Sequence, residues 1–497
     1  MNATLRALNR PLLPGARVYL VGGCVRDLLL GRPIKDLDLV TDGNPRRLAS
    51  AVARRIGGAP FSLHAELHAY RIAPRGGAAA PWVDVLPLTE AIEEDLRQRD
   101  FTINAMALPV PFDATGLERS LVDPCGGLAD LHARRLRHTH PGIFIADPVR
   151  LLRAVRIAAA LEFTLDPETE ALVRRDAPLL PQSAVERIRD ELFALLALPG
   201  SAMWVRRMDS LGLLSSILPE TVALKGLAQN ANHHLDVWEH TLEAMRQCEA
   251  LLAGPALPEE LRAAVAERLR QPLCAPRSRL ALLLFSVLLH DIAKPQTRGE
   301  TPEGIITFAR HDSVGAEIAG AICRRYRLSK RETKLVVTAI GAHLQPGFLS
   351  VHEPVTPRKR YHFFRDTGDA AVESLLLSLA DRLAARGPWA TDAQVERHRR
   401  FVAEMLRLTL EGATVAHPVV PIGGRDLAEA VGCPQGPALG ELLDALKEAV
   451  AVGEVSTRGE AILFARGWVS SRRRRQRSEA SPARGQDASE QRRGSTD

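Results

Sequence analysis

The stretch GGCVRDLLLGRPIKDLDLV, residues 22–40, decides how the N-terminal part of this chain is read. An apolar run, RVYLV, ends in Gly22 and Gly23; Asp36 and Asp38 then alternate with Leu37 and Leu39. Side chains on a strand alternate faces, so the two aspartates share one face and the leucines the other. Two carboxylates side by side repel unless a cation sits between them. Mg2+ suits that place, because it keeps oxygen ligands and bridges protein carboxylates to substrate phosphates. The glycines let backbone approach a triphosphate, and the helix start behind them faces phosphate oxygens. For Asp-x-Asp alone an exposed pair on an edge strand is the simpler reading; Gly-Gly, Arg26 and Asp27 ahead of it favour the metal site.

Around this stretch, residues 17–108 alternate strand and helix signals. CVRDLLLG reads as a short helix, and NPRRLASAVARRIGG as an amphipathic helix stopped by Gly57 and Gly58. AYRIAP and WVDVLP read as strands joined by a Gly/Ala-rich turn at 76–80. From about residue 145 strand signals nearly vanish. DPVRLLRAVRIAAALEF, SAVERIRDELFALLAL and LDVWEHTLEAMRQCEALL carry apolar residues at helical spacing. AGPALPEE and RGPWATD read as loops, and AHPVVPIGG opens a last helical segment ending near Trp468.

At 497 residues, with 46% apolar and 25% charged residues, the chain has the composition of a soluble protein of several domains. The formal charge of +6 is mostly a tail effect: from Ser470 onward eight arginines face four acids, leaving about +2 for the rest. Nucleic-acid binding must therefore be argued from local patches. Six scattered cysteines without a Cys-x-x-Cys pair suggest reduced thiols in a cytoplasmic protein. The most apolar run, LALLLFSVLL, is about half the ~20 residues of a membrane helix and reads as a buried helix.

The motif series continues through EEDLRQRDFTINAMAL (93–108), LVDPCGGLADL (121–131), FIADPVRLLRAVRIA (144–158) and AVERIRDEL (184–192). With Gly-Gly…Asp-x-Asp, these five ordered motifs resemble the class II tRNA nucleotidyltransferases of the polymerase-β-type superfamily, whose head the bacterial poly(A) polymerases share. The resemblance implies an α+β protein: a small nucleotidyltransferase head of mixed sheet and helices, then an all-α body. It implies Mg2+ on Asp36 and Asp38 as catalytic residues. It assigns nucleotide binding to Gly22, Gly23, Arg26, Arg99, Asp100, Asn104, Asp147, Arg150, Arg153 and Arg156. Substrates would be CTP, ATP and the 3′ end of tRNA, with no membrane involved.

Several of these residues have a reading of their own. Arg99 and Asp100 offer a cation for phosphate and an acceptor for a ribose hydroxyl, or simply an exposed ion pair; Gln98 stands where relatives carry a second basic residue. Asp147 and Arg150 lie three apart at a helix start and share a face. Cytosine and adenine both present an amino donor beside a ring-nitrogen acceptor, which Asp147 and Arg150 would match. Asp147 before Pro148 is also a helix N-cap pattern; within the motif series, base recognition is favoured, although Ala146 replaces the relatives' glutamate. Glu186 and Arg187 read equally well as a brace for that helix. Asp84, in WVDVLP, would be a third carboxylate near the metals.

In the body, HHLDVWEHT (233–241), LLHDIAKP (288–295), ARHDSVGAE (309–317), GAHLQP (341–346) and SLADRLAAR (378–386) form an ordered His/Asp series. Such groups in apolar helices are costly unless paired or metal-bound, and imidazole with carboxylate suits transition metals. The set resembles the HD phosphohydrolases. By that resemblance His240, His290, Asp291 and Asp381 ligate one divalent transition metal, with His311 and His343 on a second, for hydrolysis of phosphates on RNA.

The expected domains are a head (1–143), a helical neck (144–228), an HD domain (229–390), a C-terminal helical RNA-binding segment (391–469) and a disordered Arg-rich tail (470–497). Glycines before the helices of 418–455 suit either RNA phosphates or plain helix capping. Only LTEAIEE separates VDVLP from Asp95. That short connection keeps a CC-adding or A-adding specialist open beside full CCA addition, with a poly(A) polymerase next. An HD phosphohydrolase with a non-catalytic nucleotide- or RNA-binding head is the reading from another class.

Overall fold

The computed structural model describes residues 3–479 except 65, 67, 75–80, 275, 352 and 353. The expected turn at 76–80 and the tail beyond 479 lie outside the described residues. The chain divides into two compact units, one of Met1–Lys225 with Ile322–Leu328, the other of Gly226–Ala321 with Ser329–Asp497.

The first unit is built on a six-stranded mixed sheet. Its strands are β1 (Val18–Val21), β2 (Asp36–Thr41), β3 (Ala59–His64), β4 (Ala69–Ala73), β5 (Trp82–Pro87) and β6 (Ala107–Pro109), in the order β3-β4-β5-β2-β1-β6. β2 pairs antiparallel with β1 and parallel with β5. The strand β3 was not foreseen; its APFSLH lacks clean alternation, and pairing with β4 carries it. Leu37 and Leu39 are fully buried on one face of the sheet, while Asp36 is exposed on the other. Farther along the aspartate face, Tyr19, Val21 and Val40 pack with Ile92 and Leu96 of helix Ile92–Arg97. That packing delivers the segment beginning at Arg99 to the carboxylate end of the sheet. Helix Pro45–Ile56 starts with an Asn44 cap and, as its sequence predicts, stops at Gly57 in the left-handed region.

Beyond this sheet the unit is mostly helical, apart from a short parallel pair of Arg135–Leu136 with Thr164–Leu165, and helix Arg150–Leu161 packs against Val185–Leu196. In the second unit, helices Val237–Ala253, Arg279–Leu289 and Ala371–Ala384 pack together, and Lys330–Ala342 joins them. Arg279–Leu289 is buried along its whole length, so it is a core element, and among the described residues no helix is long and apolar enough to cross a membrane. Each fully buried Leu of such a helix contributes about 2 kcal/mol. A smaller core around Leu427, Leu442, Leu446 and Ala461 ties together the last helices. There Gly423 and Gly436 stand at helix N-caps. The final helix runs Arg458–Glu479, past the expected stop near Trp468, so residues 470–479 are helical. Arginine is a good helix former, and a run of it continues a helix that packing has already nucleated. None of the six cysteines is joined in a disulfide among the described residues.

Candidate active site and candidate metal centre

The register of β2 and β5 sets Asp38 directly beside Asp84, and the register of β4 sets Arg71 beside Asp84 in turn. Arg71 grips Asp84 through two hydrogen bonds of 2.7 Å, Nε to Oδ1 and Nη2 to Oδ2. Asp84 thus stands near the Asp-x-Asp pair but already has a bidentate cation partner. Asp38 does not. Burial raises its pKa to about 6, with Asp84 and Asp36 adding repulsion and Arg99 opposing them. A carboxylate held against its own ionisation, with another two residues away on the same face, fits a hard divalent cation.

Gly22 explains why the motif begins with glycine. Its φ is +80°, and a Cβ there would meet Arg99 Nη1 at 2.9 Å and Asp38 Oδ2 at 3.5 Å. Both a side chain and the L-residue backbone preference are excluded at this spot. Gly22 also starts helix Gly23–Leu29, which carries Arg26. From Arg26 a polar chain leads away: Nη1 donates to Asn104 Oδ1 at 2.7 Å, Asn104 Nδ2 donates to Asp100 Oδ1 at 3.0 Å, and Asp100 Oδ2 pairs with Arg153 Nε at 2.7 Å.

Asp100, Asn104 and Arg153 line a cleft of about 210 Å³ together with Arg99, Asp147, Arg150 and Arg187. Four guanidiniums face two carboxylates there, so the cleft favours an anion. Asp147 lies just before helix Arg150–Leu161 but does not cap it with its side chain; the cap residue is Val149. Arg187 instead holds both Asp147 oxygens at 2.9 and 2.8 Å, and Arg150 Nε lies 3.7 Å from Oδ2. Arg187, read as an even choice between motif and brace, is therefore a cleft residue. Arg156 is not among the lining residues: one turn beyond Arg153, it is ion-paired with Glu191 of helix Val185–Leu196. Gln98 contributes only its carbonyl, 3.5 Å from Arg150 Nη1.

The motif LVDPCGGLADL supplies the floor. Asp130 is fully buried and accepts from Thr102 Oγ1 at 2.7 Å and from Arg135 and Arg137. Asp123 accepts the amides of Gly127 and Leu128, starting the helix that holds Asp130. Removing Asp130 would leave buried Thr102 Oγ1 without its acceptor and the partly exposed Arg135 and Arg137 without their shared partner.

The second constellation lies at helix ends. His290 and His343 follow directly on helices Arg279–Leu289 and Lys330–Ala342, and His311 opens His311–Arg325. Their Nδ1 atoms lie 2.8, 2.6 and 2.8 Å from the carbonyls of Val287, Ile340 and Phe308. A carbonyl can only accept, so each ring donates through Nδ1 and turns Nε2 inward. His240, His290 and Asp291 bring ligand atoms within 4.8 Å of one another; so do Asp291, His311 and His343, and His233, His240 and Asp381. The two expected metal sets are therefore one continuous cluster, bridged by Asp291. Sequence reasoning passed over His233, although HHLDVWEHT contains it, and Lys294, whose Nζ sits 2.7 Å from Asp291 Oδ2.

Burial works against charge throughout this cluster. It lowers His343 to about 4, with His290 reinforcing the effect. Burial also opposes the His290–Asp291 pair, yet Asp291 holds His290 raised and His290 with Lys294 holds Asp291 well below the usual carboxylate range. Among these buried groups His343 Nε2 makes no hydrogen bond, while Asp291 Oδ2 sits between Lys294 Nζ at 2.7 Å and His290 Nε2 at 3.2 Å. Imidazole nitrogens and carboxylate oxygens converging in a buried core, with His343 Nε2 unpartnered, fit a metal ion.

Comparison with known proteins agrees with this geometry. Residues 18–137 match the poly A polymerase head domain, 162–224 the probable RNA and SrmB-binding site of polymerase A, and 237–386 the HD domain. The chain is 37% identical to an A-adding tRNA nucleotidyltransferase of Deinococcus radiodurans, over 92% of this chain and 96% of that one. It is 33% identical to a CC-adding tRNA nucleotidyltransferase of Thermus thermophilus, over 94% and 96%. A solved CCA-adding enzyme without ligand shares the fold, with a TM-score of 0.59, 20% identity and coverage of 90% and 89%. Near-complete matches at such identity leave one assignment: the chain belongs to the tRNA nucleotidyltransferase family, and it carries an HD domain at 237–386.

Proposed function

We propose that this chain adds CMP and AMP, from CTP and ATP, to the 3′ end of tRNA without a nucleic-acid template. The observation that carries the reading is the place of Arg99, which lies against Gly22 near Asp38 and also lines the neighbouring cleft. A nucleoside triphosphate laid along it would have its phosphates at the carboxylates and its base beyond. Asp36 and Asp38 would hold Mg2+, which when bound offsets triphosphate charge and makes the tRNA 3′-hydroxyl a better nucleophile. The 3′-hydroxyl gives up its proton to solvent as its oxygen forms a bond to the α-phosphorus, the α–β phosphoanhydride bond breaks, and pyrophosphate leaves. Gly22 gives the phosphates room, Arg26 and Arg99 supply cations, and Asp100 accepts from the ribose. Asp147, fixed in orientation by Arg187, accepts the exocyclic amino group of cytosine or adenine while Arg150 donates to the ring nitrogen. Uracil and guanine present the reverse pattern and are rejected.

One observation favours a narrower reading. Only four residues, 88–91, connect β5 to helix Ile92–Arg97, and two similar proteins spanning over 90% of this chain are named A-adding and CC-adding tRNA nucleotidyltransferases. Extension of tRNA lacking CCA, and of tRNA ending in CC, with each NTP separately and together decides between them. Three added nucleotides mean full CCA addition, a stop after CC or a lone A means a specialist, and a long A ladder means a poly(A) polymerase. No extension would defeat the reading of the head.

The His/Asp cluster supports a second activity. His240, His290, Asp291 and Asp381, with His311 and His343, would hold a divalent transition metal that activates water against a phosphoester. The six free cysteines and a tRNA substrate support a cytoplasmic place of action.

A further inference from the structure

Beside the His/Asp cluster opens a cavity of about 360 Å³, a volume in the range of small-ligand sites. His343, Asp381 and His233 reach it from the cluster side. Its other polar walls come from Arg382, on helix Ala371–Ala384, and from Arg397 and His398, on helix Asp392–Leu410. That last helix lies wholly beyond the HD-domain match, which ends at 386.

The charge balance of this cavity is unusual for the molecule. Most described arginines near an acid pair with it, whereas Arg382 has only the Gln394 amide oxygen, 2.9 Å from Nη2. Arg397 makes no ion pair or hydrogen bond among the described residues, though it stands close enough to repel Arg382. Asp381 is the single lining carboxylate, and His240 already occupies it at 2.9 Å. Two half-buried guanidiniums without carboxylate partners call for an anion, and a guanidinium fork matches a phosphate. His398, 3% exposed, has only Ser378 Oγ at 3.4 Å.

The rim adds a second, independent signal. On helix Gln345–Val351, Phe348 is 67% exposed and Val351 60%, and both line the cavity. An exposed ring at the edge of a cationic pocket is a platform on which a base can stack.

We propose that this cavity binds one nucleotide, its phosphate held by Arg382 and Arg397 facing the His/Asp cluster and its base stacked on Phe348. The inference rests on the reading of that cluster as a phosphoester site. It names the ligand class, a nucleotide phosphate, and places part of its recognition on a helix outside the HD-domain match.

The test uses the full-length, Mn2+-loaded protein carrying Asp38→Ala, so that the head does not add metal-bound phosphate. Calorimetric binding of AMP and of inorganic phosphate is compared with the same protein also carrying Arg382→Gln, Arg397→Gln or Phe348→Ala. Both arginine variants are expected to weaken both ligands at least about tenfold, with bound metal unchanged. Phe348→Ala is expected to weaken AMP alone. Arg397 lies on a different helix from every candidate ligand, so its variant tests the pocket even if Arg382→Gln disturbs the metal cluster. Equal binding of both ligands by the Arg397 variant, at unchanged metal content, overturns the proposal. Loss of binding supports it even if the parent protein releases no phosphate from AMP; that outcome sinks only the hydrolytic reading.

Discussion

The two candidate metal sites are built in opposite ways. In the head, sheet register lines up Asp36, Asp38 and Asp84 along one face, and the face stays open to water at Asp36. In the body, helix ends bring His240, His290, Asp291 and His343 into a core where each is no more than 1% exposed. The head keeps only oxygen donors and has arginines waiting around them, as suits a cation that arrives with its own phosphate ligands. The body packs imidazole nitrogens and carboxylates together in a buried core, His343 Nε2 without a hydrogen-bonding partner, as suits an ion that stays. The contrast separates a site assembled with its substrate from one complete in the fold.

The sharpest way to break this comparison is to remove one site and measure both reactions. Asp38→Ala is expected to lower nucleotide incorporation by at least about 10³-fold, read at single-nucleotide length on tRNA lacking CCA. Any phosphate release by the body should survive unchanged. Incorporation within tenfold of the parent protein would refute the assignment of Asp38.

The reciprocal change is His290→Ala with Asp291→Ala. Metal content by elemental analysis should fall, with affinity reduced more than about 100-fold, while incorporation stays within about twofold. A parallel collapse of incorporation would mean that the two sites are not independent.

A smaller effect sharpens the head alone. Arg187→Ala frees Asp147 from its bidentate partner, so KM for CTP and ATP should rise about tenfold, or 1–2 kcal/mol. Misincorporation of UTP should rise with it. A change in thermal stability without any change in nucleotide choice would reduce Arg187 to a brace.

The smallest effect concerns charge. The folded, metal-free head holds Asp38 at about 6, above the unfolded value of about 4. The folded state therefore binds this proton more tightly than the unfolded state, and stability falls as pH rises from about 4 through 6. Asp38→Asn should stabilise the metal-free protein by about 1–2 kcal/mol at pH 7.5, after allowance for partial exposure. By pH 4 the gain should vanish. Superimposable denaturation curves in a chelator at both pH values would show that Asp38 carries no such cost.

The local motifs were legible because each is a short-range requirement. Alternation in DLDLV fixed which face the aspartates share, and the buried leucines and exposed Asp36 follow from it. Gly57 after Ile56 marked the stop of a helix where the structure has it, whereas its Asn44 cap emerged only in the fold. The cap alternative at Asp147-Pro148, set aside within the motif series, is not taken: Val149 is the cap residue and the distant Arg187 holds the Asp147 carboxylate.

What the sequence determined by itself, then, was the order of motifs and the donor types each could offer: carboxylates and arginines in the head, imidazoles and carboxylates in the body. Only tertiary structure decided the pairings. Arg71 took Asp84 because β4 lies beside β5 at that register. Arg156 turned to Glu191 rather than the cleft, and Asp291 joined two histidine sets that lie far apart in the chain. Propensity and periodicity act over a few residues, whereas an ion pair or a shared ligand is chosen by whichever distant group packing brings within about 3 Å.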